Sequence, residues 1–207
     1  MTITAALFDF GGVVSTSPFE AFARYERERG LPDGFIRQLN STNPDTNAWA
    51  RLERSEVGFE EFCELYEGEA KAAGFEIDAR DVMMLLGGDI RPAMVEAMRR
   101  CSERLKTAIL TNNFVRGERP GGQMGAMANW VDAVIESSKL GFRKPDPRFY
   151  QHACEVLEIE PKEAVFLDDL GVNLKPAREM GMTTIKVVDA DAAIAELESV
   201  VGFSLRT

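Results

Sequence analysis

The chain of 207 residues is poor in cysteine, in positive charge and in long apolar runs. Its three cysteines, Cys63, Cys101 and Cys154, are an odd number without close spacing, which excludes a disulfide framework and argues against a zinc site. We expect them to be buried thiols in a protein of the reducing cytoplasm. The longest apolar run, Val82 to Leu86, has roughly five residues, whereas a membrane-spanning helix needs about 20.

The charge balance bears on the class of partner. Lysine and arginine total 24 against 34 aspartate and glutamate, so the formal net charge is −10. A phosphate polymer or an anionic bilayer would repel this chain, which argues against nucleic acid and membrane surfaces as partners. Hydrophobic residues make up 45% of the sequence, enough for a soluble domain with a proper core, and the length suits one domain that carries an insertion.

Short apolar runs that alternate with helical patterns predict βα units and a parallel sheet. The runs are apolar on both faces, as in strands that helices cover on each side, so we predict a doubly wound α/β fold. The predicted strands are Thr4–Asp9, Thr107–Thr111, Val131–Glu136, Ala164–Asp168 and Thr183–Val188. The predicted helices between them are Arg91–Arg104, Asp146–Leu157, Val172–Met180 and Ala190–Val201.

One gap breaks this rhythm. Roughly 80 residues of helical pattern separate the strand ending at Asp9 from the next core helix, which is far longer than an ordinary connection. We predict that residues 17–90 form an inserted helical cap, with Gly87 and Gly88 near its return hinge, and that residues 1–16 and 91–207 form the core. Apolar residues at helical spacing support a cap helix: Phe59, Phe62, Cys63, Tyr66, Ala70 and Ala73.

Two predicted strands end in carboxylates. Asp9 ends the first strand and is followed by Gly11 and Gly12, which let the chain turn tightly. Asp168 and Asp169 end the strand Ala164–Asp168, and two adjacent buried carboxylates repel each other unless a cation or hydrogen bonds offset their charge. Ligand crevices of parallel sheets form at such strand ends. A divalent metal ion is therefore indicated most strongly at Asp168.

Two further strand ends carry groups that suit an anion. Thr111 and Asn112 offer a hydroxyl, a side-chain amide and backbone N–H groups, although such residues commonly serve only as turns. Lys144, ahead of a helix that begins at Asp146 and Pro147, could supply a positive charge to a phosphate or could be an ordinary surface lysine. Together the four places offer a nucleophile, a cation site and an anion site.

In this order and spacing the four motifs resemble those of the haloacid dehalogenase-like hydrolase superfamily, and most closely the N-terminal phosphatase domain of soluble epoxide hydrolases. The resemblance is carried by Thr107 to Asn112 (TAILTN) and by Val165 to Gly181 (VFLDDLGVNLKPAREMG). It covers nearly the whole predicted core, whereas the cap is similar only in length and helical pattern. The resemblance implies a hydrolase that acts on a small phosphorylated metabolite with Mg²⁺ as cofactor.

By this resemblance each strand-end residue receives a role. Asp9 would be the nucleophile, and Mg²⁺ would be held by Asp9, Asp168 and the backbone carbonyl of Gly11. Asp169 would orient these ligands, and Asn173 would either support them or be a plain helix-start residue. The implied phosphoryl-binding residues are Gly11, Gly12, Thr111, Asn112 and Lys144, of which Thr111 and Lys144 would also take part in catalysis by stabilising charge.

The first motif departs from the family pattern. The family usually has a second aspartate at the position of Gly11, where it protonates the leaving group and later activates water. General acid–base help of this kind is typically worth about 10²–10⁴-fold in rate. We therefore expect slow turnover of alkyl monoesters, a preference for leaving groups that need little protonation, or a substitute acid from the cap or from solvent.

Two alternatives follow from the same departure. Dehalogenases of the superfamily also lack the second aspartate, because halide leaves without a proton, but their fourth motif lacks the adjacent carboxylates seen at Asp168 and Asp169. The second alternative is a binding or regulatory protein that keeps the phosphate and metal cradle without turnover. The oligomeric state stays open.

Overall fold

A computed structural model describes residues 2–115 and 123–206 and confirms the predicted doubly wound α/β fold. Within these residues five parallel strands form one sheet in the order β3-β2-β1-β4-β5. The strands are β1 (Ala5–Phe8), β2 (Lys106–Thr111), β3 (Ala133–Glu136), β4 (Ala164–Asp168) and β5 (Thr183–Lys186). Each predicted strand is present, and its ends differ from the prediction by at most two residues.

Helices and the loops between them make up the rest of the described chain. Five lie between β1 and β2 ahead of the first core helix: α1 (Phe19–Arg29), α2 (Phe35–Ser41), α3 (Ala48–Glu53), α4 (Phe59–Ala72) and α5 (Ala79–Met84). The others are α6 (Pro92–Ser102), α7 (Gln123–Met127), α8 (Ser137–Leu140), α9 (Pro147–Leu157), α10 (Gly171–Glu179) and α11 (Ala190–Val201). Asp146 caps α9 by accepting a hydrogen bond from the backbone N–H of Arg148, as its place before Pro147 predicts.

Both faces of the sheet are buried under helices. Ala6 and Phe8 of β1 point toward α6 and α11, where Met98 and Leu197 are fully buried. The alternate residue Leu7 points to the opposite face, against α9 and α10. This alternation explains why the strands are apolar at every position. None of the helices in the described residues is long and apolar enough to cross a membrane.

The helices α1 to α5 pack around an apolar cluster of their own, centred on Phe62 and Tyr66. Two connecting segments join this helical segment, residues 19–84, to the sheet, and they run side by side: Ser15 and Ile90 form an antiparallel bridge. A side chain at Gly88 would collide with the carbonyl oxygen of Thr16, so the close approach requires glycine here. These contacts support the predicted cap boundaries near residues 17 and 90, which stay a prediction.

The cysteines are free and buried, as the sequence indicates. Burial raises the pKa of the thiols of Cys63, Cys101 and Cys154, to about 12 for Cys101 and about 11 for Cys154. Thiols with raised pKa values carry little thiolate at neutral pH, so they are poor nucleophiles and poor metal ligands. The three residues therefore serve packing.

Candidate active site

The strand order places the candidate site. From β1 the chain runs to β2 and β3 on one side of the sheet and then to β4 and β5 on the other, so the order reverses between β1 and β4. In doubly wound sheets the ligand crevice opens at the carboxyl ends of the strands at this reversal. Phe8 of β1 lies opposite Leu167 of β4, so the next residues, Asp9 and Asp168, are neighbours at the crevice.

Three carboxylates converge there. Asp9, Asp168 and Asp169 each offer an oxygen atom, and these atoms lie within 4.8 Å of one another. Asp9 and Asp168 are buried, and Asp169 is partly exposed. The structure thus brings together the two strand ends that the sequence predicts to share a metal ion.

Lys144 lies between two of these carboxylates. Its Nζ atom is 2.9 Å from Oδ1 of Asp9 and 2.8 Å from Oδ2 of Asp168, and it donates a third bond of 2.8 Å to the carbonyl oxygen of Leu110. The residue is only 1% exposed, so it is not the surface lysine of the alternative interpretation. An ammonium group has three N–H donors, and protein oxygens engage all three, so Lys144 acts here as a fixed positive charge.

Asp168 is held from a second direction by α10. The side-chain amide of Asn173 donates to both of its oxygens, at 3.0 and 3.1 Å, and the backbone N–H of Leu170 donates to Oδ1 at 2.8 Å. The hydroxyl of Tyr150 donates to the carbonyl oxygen of Asn173 at 2.6 Å. Asn173 thus has a contact with the carboxylate cluster, which a plain helix-start residue would lack.

The turn after Asp9 shapes the floor of the site. The backbone N–H of Phe10 donates to Oδ1 of Asp9 at 2.6 Å, and that of Ser15 closes the turn on the carbonyl oxygen of Phe10 at 2.9 Å. Gly12 has φ +81°, and a Cβ there would overlap the carboxylate of Asp169. Gly11 is exposed, has φ −72°, and has open space where a side chain would begin.

Asn112 has a role that the sequence did not reveal. Its side-chain amide donates to the carbonyl oxygen of Lys144 at 3.0 Å, and its oxygen accepts the backbone N–H of Lys144 at 2.9 Å. The side chain therefore joins two strand-end loops, whereas the sequence assigned it to a bound phosphoryl group. Thr111, beside it, is buried at the end of β2. An asparagine at a strand end gives no signal for such a pairing, because the partner loop is distant in the chain.

Two other sets of contacts at the site have no sign in the sequence. Arg91, at the start of α6, donates to the carbonyl oxygen of Gly12 at 3.0 Å, and its charge partly opposes the rise in the pKa of Asp169 that burial and Asp168 cause. Asn113 donates from its side-chain amide to Glu136 at 2.7 Å and accepts from the hydroxyl of Ser138 at 2.8 Å. Both residues fix loops that carry predicted site residues.

The electrostatics show an excess of negative charge. Burial, joined by the charges of Asp168 and Asp169, raises the pKa of Asp9 well above its usual value, against the opposing effect of Lys144. Burial, with the charge of Asp168, raises the pKa of Asp169 to about 6. Burial alone would lower the pKa of Lys144, but Asp168 and Asp9 outweigh it and raise that pKa. One ammonium does not balance three carboxylates.

The donor set therefore fits a divalent cation. Hard, oxygen-only ligands suit Mg²⁺, which is commonly held by one or two carboxylates together with substrate oxygens. A doubly charged ion would also offset the net charge that three carboxylates and one lysine leave behind. The arrangement supplies a buried carboxylate that can attack, and Lys144 together with such an ion would supply the positive charge that stabilises an anion.

Sequence and structural similarity relate this chain to known proteins. A family model described as haloacid dehalogenase-like hydrolase matches residues 3–181. The bifunctional epoxide hydrolase 2 of Sus scrofa is 32% identical over 99% of the chain, which spans 40% of that protein's length. Phosphatase MT3486 of Mycobacterium tuberculosis is 32% identical over 88% of the chain and 86% of its own.

A solved structure shares the fold. It is a HAD family enzyme of Bacteroides thetaiotaomicron in complex with magnesium and inorganic phosphate, 19% identical, and the match covers 89% of this chain and 93% of that one with a TM-score of 0.59.

Proposed function

Since the chain belongs to the haloacid dehalogenase-like hydrolases, we propose that it is a magnesium-dependent phosphatase of small phosphate monoesters that works through an aspartyl-phosphate on Asp9. The single observation that supports this most is the convergence of Asp9, Asp168 and Asp169 around a buried lysine. Phosphatase MT3486 and the magnesium and phosphate complex of the Bacteroides thetaiotaomicron enzyme add support.

In the proposed reaction a carboxylate oxygen of Asp9 attacks phosphorus in line with the ester oxygen. The new O–P bond makes an aspartyl-phosphate, the bond from phosphorus to the ester oxygen breaks, and that oxygen keeps the electron pair and takes a proton from solvent to become the alcohol. Water then attacks phosphorus, the bond from phosphorus to Asp9 breaks, and the water proton returns to solvent, which leaves inorganic phosphate and the free carboxylate of Asp9. Lys144 favours the ionised, attacking form of Asp9 and so opposes the rise in its pKa that burial causes, because an adjacent ammonium stabilises the charged form of a carboxylate.

Asp9, Asp168 and the carbonyl oxygen of Gly11 would hold Mg²⁺. Bound there, the ion would supply positive charge to the phosphoryl oxygens. Asp169 would orient the residues that hold the ion, and Gly12, which has no side chain, allows the carboxylate of Asp169 to approach closely. The hydroxyl of Thr111 and backbone N–H groups of Gly12 and Asn112 would hold the transferring phosphoryl, since the side chain of Asn112 is engaged with Lys144.

Because position 11 is glycine, the chain lacks the aspartate that usually protonates the leaving group in this family. We propose that the helical segment, as a cap over the site, selects the substrate, and that the preferred esters are those whose alcohols need little protonation. Gly11 is also the observation that keeps a dehalogenase activity as the second candidate. The carboxylate pair Asp168 and Asp169 disfavours it, because a dehalogenase has no need for a divalent cation.

The test is a panel of phosphate monoesters assayed for inorganic phosphate with Mg²⁺ and with EDTA, beside the variant Asp9→Asn. We expect release that needs Mg²⁺ and is lost in the variant. Release of halide from 2-haloacids in EDTA would favour the dehalogenase. Stoichiometric binding of esters without release of phosphate would favour a binding protein.

A further inference from the structure

The helical segment and the core are joined by an ion pair that ends next to Lys144. The guanidinium of Arg143 donates from Nη1 to Oε2 of Glu53, at the end of α3, and from Nη2 to the carbonyl oxygen of Pro44 at 3.0 Å. The side chains of Arg143 and Glu53 are only 15% and 10% exposed. Removing one partner of an ion pair shielded in this way costs more than breaking an exposed pair, because the remaining charge is left uncompensated.

Glu53 is itself fixed in place. Its second oxygen, Oε1, accepts the indole N–H of Trp49 at 3.0 Å, and the ring of Trp49 packs against Phe62 and Tyr66 in the apolar cluster of the helical segment. Close by, the hydroxyl of Ser55 donates to the carbonyl oxygen of Ser138 in the core at 2.8 Å. Helix α3 and the residues after it thus form one docking point on the core.

On the core side, Arg143 directly precedes Lys144 in a closed turn. The backbone N–H of Asp146 donates to the carbonyl oxygen of Arg143 at 2.8 Å, and Asn112 pairs with both backbone groups of Lys144. A displacement of Arg143 would therefore displace the ammonium that contacts Asp9 and Asp168. Within the described residues Arg143 forms its side-chain hydrogen bonds with Glu53 and Pro44 and none with these carboxylates, so we expect its effect on them to pass through Lys144.

We infer that Arg143 is a positioning residue for Lys144. Glu53 of α3 holds Arg143, and Arg143 in turn fixes the adjacent Lys144, whose ammonium lies between Asp9 and Asp168. The inference rests on the proposed function for its effect on turnover, but its structural part is independent of any activity. The pair makes the placement of the lysine depend on contact between the helical segment and the core.

Hydrogen exchange at the backbone N–H of Lys144, which donates to Asn112, measures this placement without an assay. In Arg143→Ala and in Glu53→Ala we expect exchange about tenfold faster or more, the loss expected for a charge-assisted contact. The double variant should exchange no faster than either single one, because the two residues act as a unit. Arg143→Lys, which keeps the charge, should restore part of the protection.

Two controls separate a local effect from general instability. The backbone N–H of Asp9 donates to Leu167 inside the sheet and should keep its exchange rate in all variants. Glu56→Gln removes a carboxylate that pairs with Arg54 and does not reach the core, and it should leave Lys144 unchanged. Equal acceleration at Asp9 and Lys144, or no acceleration at Lys144, would overturn the inference.

The effect of Arg143 on turnover is measured separately from hydrogen exchange. If the wild type hydrolyses a phosphate ester, Arg143→Ala should lower kcat about tenfold or more with little change in KM, and Arg143→Lys should recover part of kcat. A rise in KM alone would contradict positioning of Lys144. If the wild type hydrolyses no ester, the proposed function fails, and the exchange measurement still decides the inference.

Discussion

The ammonium of Lys144 lies 2.9 Å from a carboxylate oxygen of Asp9, although the two residues come from distant parts of the chain. The same nitrogen is 2.8 Å from Asp168, and it is sealed from water. The lysine is thus the main positive charge that the described residues place inside the carboxylate cluster. The consequence is that folding and the proposed chemistry depend on the same group.

Replacing Lys144 by methionine removes this charge and leaves two buried carboxylates facing each other. We expect Lys144→Met to lower the free energy of unfolding by about 3–5 kcal/mol, as for other buried pairs that lose one partner. Urea unfolding in EDTA measures this, with Lys175→Met as the control, since Lys175 is 78% exposed. Equal stability of the two variants would show that the pairing is not formed in solution.

Gly12 and Gly11 make a matched pair of substitutions. Gly12→Ala forces a side chain into the space of the Asp169 carboxylate at φ +81°, so we expect a loss of about 1–3 kcal/mol and weaker Mg²⁺ binding. Gly11→Ala meets open space at an ordinary φ and should leave both nearly unchanged. Thermal unfolding with and without Mg²⁺ compares them. If Gly12→Ala lowers stability and Mg²⁺ binding no more than Gly11→Ala does, Gly12 does not pack closely on Asp169 in solution.

Gly11→Asp tests the absence of a general acid. Because the position is open, the new carboxyl can be accommodated, and we expect it to raise turnover of alkyl phosphates by about 10²–10⁴-fold. Esters of acidic phenols should change little, since their leaving groups need no proton. Gly11→Asn has nearly the same shape without the acid and is the control. No gain for Gly11→Asp, with fold and metal binding intact, would mean that another acid is already in place.

Asp169 predicts a pH dependence of stability in EDTA. Its pKa in the folded protein is raised to about 6, above its unfolded value, so the folded state holds this proton more tightly. The free energy of unfolding should therefore fall as pH rises from about 4 to about 6, where the folded protein keeps more protons than the unfolded chain. Urea unfolding across this range should show a smaller fall in Asp169→Asn. An identical fall in the variant would remove Asp169 as its source.

The fold and the convergence of Asp9 with Asp168 could be predicted because their signals are local. Strands apolar on both faces indicate a covered parallel sheet, and Asp9 and Asp168 lie at the carboxyl ends of such strands, so sheet geometry brings them together. The short helices α2, α3 and α5 of the helical segment gave no separate signal, since six or seven residues make too few turns to show a period.

The remaining contacts depend on tertiary approach. Asn112 pairs with the backbone of Lys144, and Arg143 pairs with Glu53, across stretches of chain that no local pattern relates. The burial of Lys144 likewise has no local sign, because its neighbours are Arg143 and Pro145. Sequence supplies the residue types of the site, and the packing of loops decides which of them contact one another.

The proposed function depends on a divalent ion shared by Asp9 and Asp168. Isothermal titration of Mg²⁺ into the wild-type protein, Asp9→Asn and Asp168→Asn measures this directly, with Asp146→Asn as a control whose carboxylate caps α9 and is not one of the three that converge. We expect one site in the wild type and the control, and a loss of affinity of about tenfold or more in each of the other two, because each loses a charged ligand. Wild-type affinity in either cluster variant, or no binding by the wild type, would contradict the account.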